Sequence, residues 1–188
     1  YVGALREGFR SRWIDVYENE GKRSGAYSWG SYGTRPFVLL NYQGNIDSMY
    51  TLAHELGHSM HSYFTWRTQP YPYGAYTLFV AEVASTLNEA LLTHDLLRTT
   101  TERSLRMYII NHALETFRTT LYRQTLFAEF ERTIHARAEA GEALTPDLLN
   151  GIFKDLNTAY YGPVVRVDDL IAVEWARIPH FYSSFYVY

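Results

Sequence analysis

The chain has 188 residues, enough for one ordinary domain with a real core, and 47% of them are apolar at a mean hydropathy of -0.25. A formal charge of -3 gives no electrostatic footprint for nucleic acid or an anionic membrane surface, so neither is expected as a partner. With no cysteine, a disulfide framework and a thiolate metal site are both excluded, and any metal must be held by His and carboxylates.

In chain order, residues 2–18 read as an amphipathic helix, with Leu5, Phe9, Trp13 or Ile14, and Tyr17 at helical intervals. A turn-rich passage, Glu20 to Ala26, follows. Ala26–Trp29 and Pro36–Tyr42 then read as two short strands around a Gly30–Gly33 turn. Such a sheet is a place where an extended peptide could add itself as a strand, but the sequence alone favours a purely structural hairpin.

Asn45–Ser48 carries good capping residues for a helix running to about Trp66. Inside it lies His54-Glu55-Leu56-Gly57-His58, the pattern H-E-x-x-H. At 3.6 residues per turn, His54 and His58 share a face and both imidazoles can reach one ion. Glu55 is rotated about 100° from His54, beside that face, where it can hold a metal-bound water. One Zn²⁺ suits this set, and a further protein ligand is needed.

Pro70, Pro72 and Gly74 interrupt the pattern, and a second helix is expected over Thr77 to about Leu97. It offers Glu82, among Val80, Ala81, Val83 and Ala84, where an unpaired buried carboxylate would be costly, and Glu89, seven residues on along the same face. Glu89 could instead accept the free N–H of a ligand imidazole. His61, three residues past His58, reads as a supporting or structural residue, because a third ligand from one helix strains tetrahedral geometry. Thr99-x-x-Glu102 resembles a capping box. Leu105 to Ile134 form a long helical pattern that ends before Gly141. Thr145-Pro146 opens another helix that stops at Gly162-Pro163, and Asp168-Asp169 starts a last one toward Ile178-Pro179.

The motif His54-Glu-Leu-Gly-His58-Ser-Met-His61 followed by Phe79-Val-Ala-Glu82 resembles the thimet oligopeptidase-type zinc peptidases. Gly25-Ala-Tyr-Ser28, Leu39-Leu-Asn41 and Trp175-Ala-Arg-Ile-Pro-His-Phe-Tyr182 narrow the resemblance to oligoendopeptidase F. It implies a mainly helical, zincin-like catalytic domain with a small β-hairpin or sheet. Residues 1–188 would be the C-terminal part of that domain, with the N-terminal half of the same enzyme as a partner that closes a channel. It implies Glu82 as third ligand and Glu55 as general base. It also places His180 and a tail tyrosine, Tyr188 or Tyr182, at the oxyanion of the substrate, while Phe181, Phe185 and Tyr186 read as packing residues. The expected activity is a zinc endopeptidase acting on short peptides in the cytoplasm. The rivals are a zinc carboxypeptidase, with Arg35, Arg67 or Arg177 as a carboxylate clamp, and a metal-containing peptide-binding module without turnover.

Overall fold

A computed structural model describes residues 1–183. The chain is mainly helical with one small sheet, and it divides into two compact units, Tyr1–Ile109 and Ile110–Tyr188. No helix among the described residues is long and apolar enough to cross a membrane.

The first unit opens with α1 (Val2–Arg10), much shorter than the helix expected over residues 2–18. Arg12 adopts φ 55, a left-handed conformation that an L residue enters only at a cost, and there the helix stops. Trp13 then folds back on the helix. Its N–H bonds the Gly8 carbonyl at 3.0 Å, and its ring lies where a Cβ on Gly8 would come within 3.0 Å. The helical spacing of Trp13 therefore reflects this fold-back rather than a longer helix.

Beyond it, β1 (Ile14–Asp15) pairs parallel with β3 (Phe37–Leu39), which pairs antiparallel with β2 (Tyr27–Trp29). The β2–β3 hairpin matches the expected one, with Ser28 opposite Val38; β1 is an addition that the sequence did not signal. The order β1-β3-β2 leaves β2 at an edge of the sheet. Helix α2 (Ile46–Thr68) starts where expected, because the Asn45 side chain accepts the Ser48 N–H at 2.8 Å. It packs against the sheet and against α3 (Leu78–Thr99), burying Tyr50, Leu56 and Met60 together with Ala81.

The expected capping box at Thr99 does not form. Thr99 is the last residue of α3, with its hydroxyl on the Asp95 carbonyl. Glu102 caps the next helix alone, accepting the Ser104 and Leu105 N–H groups at 2.9 and 2.7 Å. That helix, α4 (Arg103–Phe117), continues through a π-helical turn (Arg118–Tyr122) into α5 (Arg123–Glu139).

In the second unit, Thr145 caps α6 (Pro146–Tyr161) through the Leu148 N–H, and Gly162 ends it at φ 71. The core is aromatic: Phe127 and Phe130 of α5, Phe153 of α6, and Phe181, whose ring centroid lies 4.9 Å from that of Phe130. Phe181 thus packs against this core, as its sequence context predicts. The segment after Asp168 is 3₁₀ rather than α (Asp169–Arg177), with the Asp168 carboxylate on the Leu170 N–H.

Candidate metal centre

Helix α2 presents His54 and His58 one turn apart in its middle, away from frayed ends. Their Nε2 atoms face each other at 3.1 Å. From α3, Glu82 completes the group: Oε2 is 3.4 Å from His54 Nε2, and Oε1 is 3.6 Å from His58 Nε2. The three ligand atoms lie within 4.8 Å of one another. Glu89, two turns further along α3, holds His54 Nδ1 at 2.5 Å through Oε1. A carboxylate there places the ring proton on Nδ1, so that Nε2 turns a lone pair toward His58 and Glu82.

That arrangement tests whether a cation fits. Two imidazole nitrogens and a carboxylate oxygen converge, and a lone pair of His54 points into the convergence. A divalent cation satisfies all three, and a His₂Glu donor set is one that catalytic zinc sites use. Zinc is therefore compatible with the residues present.

Electrostatics agree with the geometry. Burial lowers the proton affinity of His54, but the Glu89 bond and the charges of Glu89, Glu55 and Glu82 outweigh it, leaving His54 above the ordinary histidine value. Burial dominates at His58 and lowers it, against the pull of Glu82. Glu55 is 7% exposed, and burial raises its carboxyl above the ordinary value, opposed by His54 and by the backbone N–H of Ser28 and supported by Glu82.

Glu82 departs from the sequence expectation in its surroundings. Its side chain is 48% exposed, and its neighbours Val80 and Val83 are exposed as well. What singles it out is convergence with the histidines, rather than a buried charge seeking a partner. His61 is not among the converging atoms. Its ring stacks on Tyr76 with centroids 3.8 Å apart, and burial lowers its proton affinity.

Two residues that the sequence did not mark hold the arrangement. Gly57 lets the two helices touch: a Cβ there would lie 2.6 Å from the Ala84 carbonyl oxygen and 2.6 Å from Ser85 Cα. Ser85, fully buried, donates its hydroxyl to Glu82 Oε2 at 2.9 Å. Glycine inside a helix next to a histidine was the available signal for the first, and the Glu-x-x-Ser spacing for the second.

Two clefts are lined in part by residues of the centre. One, of about 470 Å³, is lined by Gly25, Ala26, Asn41, Tyr42 and Thr51 and ends at Glu55. The other, of about 460 Å³, runs from His58 and Glu82 past Trp29, Tyr71 and Tyr76. A larger cavity of about 660 Å³ in the second unit is lined by Phe117, Leu121, Leu126 and Tyr160, among others, and has no His, Asp or Glu in its wall.

The tail candidates belong to the second unit or lie outside the described residues. Tyr182 donates its hydroxyl to the Ala176 carbonyl at 2.9 Å within its own unit. His180 belongs to a short 3₁₀ turn (Pro179–Tyr182), and its side chain, like the whole of Tyr188, lies outside the described residues.

Comparison with known proteins identifies the family. The family model described as peptidase family M3 matches residues 2–188. Oligopeptidase PepF of Bacillus subtilis is 56% identical over 188 residues, covering all of this chain and 28% of that protein. The plasmid oligoendopeptidase F of Lactococcus lactis subsp. cremoris is 52% identical over the same span, 31% of its length. The crystal structure of oligoendopeptidase-F from Enterococcus faecium superposes with a TM-score of 0.62 at 46% identity, covering 75% of this chain and 25% of that one. The chain thus spans about 30% of the length of the curated relatives it matches.

Proposed function

Since the chain belongs to peptidase family M3, we propose that it carries the metal centre of a zinc-dependent endopeptidase that hydrolyses peptide bonds in short oligopeptides. The observation that carries this reading is the convergence of His54, His58 and Glu82 beside a buried Glu55, with residues of this group lining two clefts. Held by His54, His58 and Glu82, zinc would supply a Lewis acid able to polarise the scissile carbonyl and acidify a water.

The chain's own residues do the rest. Glu55 takes a proton from the attacking water on its carboxylate and gives it to the leaving amine. Burial raises its proton affinity, which suits a base that must also act as an acid. Glu89 keeps the His54 proton on Nδ1 and so holds the ring's other nitrogen available. The tail residues His180, Tyr188 and Tyr182 are assigned to the oxyanion on the family resemblance, as neutral donors at neutral pH in the case of tyrosine. The remainder of the enzyme, its N-terminal half, would complete the channel, and short peptides would be its partners.

The endopeptidase reading is favoured over a carboxypeptidase because the arginines considered as a clamp are engaged elsewhere. Arg67 bonds the Tyr63 hydroxyl and lies over its ring, and Arg177 bonds Glu174. Arg35 lies over Phe37. None of the three lines the clefts at the centre.

Internally quenched peptides with both ends blocked test the proposal in the intact protein. Cleavage is expected, lost on chelation and restored by zinc. Cleavage that needs a free C-terminal carboxylate would assign a carboxypeptidase, and binding without turnover would assign a peptide-binding module.

A further inference from the structure

We propose that Ser85 is a positioning residue of the metal centre: its buried hydroxyl fixes the rotation of the Glu82 carboxylate. The inference rests on the reading of Glu82 as a metal ligand. Ser85 Oγ donates to Glu82 Oε2 at 2.9 Å, one helical turn back, and is also 3.1 Å from the Glu82 carbonyl. The carbonyl contact alone is ordinary for a helical serine, and the next residue, Thr86, bonds only that carbonyl. The bond to the carboxylate is what sets Ser85 apart.

Its consequence follows from the contrast in burial. Ser85 is 0% exposed, whereas the Glu82 side chain is 48% exposed. A half-exposed glutamate has rotamer freedom to lose and water competing for both oxygens. A charge-assisted bond from a fixed donor removes that freedom at Oε2. The carboxylate then keeps Oε2 toward His54 and Oε1 toward His58. Ser85 is itself tied to the histidine helix, because its Cα sits directly against Gly57 at the helix crossing. The hydroxyl therefore transmits the position of the helix bearing the histidines to the carboxylate on the other helix.

The test is a double-mutant cycle in zinc affinity, read by competition with a chromophoric chelator, on the intact protein. Ser85→Ala removes one oxygen and adds no volume. It should weaken zinc binding by roughly 10- to 100-fold, the usual effect of losing a partner behind a ligand. In a Glu82→Ala background the same substitution should change the residual affinity no further, because its only route to the metal is gone. A general loss of stability would weaken both backgrounds alike, and that outcome overturns the proposal. So does an unchanged affinity in Ser85→Ala alone. If Glu82→Ala itself leaves zinc affinity intact, the ligand assignment fails and Ser85 loses its role with it.

Discussion

Glu55→Gln should remove nearly all peptide turnover while leaving zinc bound at one ion per chain. Glu55 neighbours the converging ligand atoms without being one of them, so the amide removes a base and keeps the metal set. The amide has nearly the same volume, and its oxygen can still accept a hydrogen bond as a carboxylate oxygen does. What it cannot do is take a proton from water. Losing a positioned general base costs about 10²–10⁴ in rate. The loss should fall on kcat with KM little changed, since the proton moves only as the transition state is reached. Folding should not suffer, because a neutral amide at a 7% exposed position escapes the burial cost that raises the carboxyl. A folded variant that has lost its zinc would instead make Glu55 a ligand.

The second large effect is expected at Gly57→Ala. In most helix interiors this change stabilises by about 0.5–1 kcal/mol, because glycine gives up more backbone freedom on folding. Here the sign reverses. The added Cβ would lie 2.6 Å from the Ala84 carbonyl oxygen, 2.6 Å from Ser85 Cα and 2.9 Å from the Ala84 carbonyl carbon. All three are backbone atoms, so relief requires α3 to move away from α2. Overpacking of this kind costs about 1–3 kcal/mol. The same movement draws Glu82 and Glu89 away from the histidines they face, so zinc affinity should fall with stability. Melting of the metal-free variant and a zinc titration read the two effects separately. A variant more stable than the wild type, with unchanged zinc affinity, would show that the helices do not cross this closely.

Much of the site was legible because it is written in local periodicity. The four-residue step from His54 to His58 needs only a helix, and the Asn45 cap and Gly162 stop mark helix ends with chemistry that acts within one turn. The mainly helical class with a small hairpin followed from the same signals. What was not legible depends on contacts between segments. Gly57 reads as a mild helix defect until α3 is laid across it. Ser85 reads as one more helical serine until its hydroxyl is seen on Glu82. Glu82 was singled out for apolar neighbours, yet Val80 and Val83 are exposed, so the reason lay in the distance to two histidines 24 and 28 residues away in sequence. At the chain's start, Arg12 takes a conformation that sequence patterns reserve for glycine, which hid both the early end of α1 and the strand β1. Thr99 and Glu102 had the right spacing for a capping box, but the helix boundary fell between them.

One zinc ion is expected among His54, His58 and Glu82. Anomalous diffraction from crystals of the zinc-loaded intact protein, collected on both sides of the zinc absorption edge, addresses it most directly. The expected result is a single strong difference peak bounded by His54 Nε2, His58 Nε2 and the Glu82 carboxylate, with Glu55 beside it and Glu89 behind His54. A strong zinc peak held by other residues, or none at these three in crystals of the loaded protein, would contradict the account.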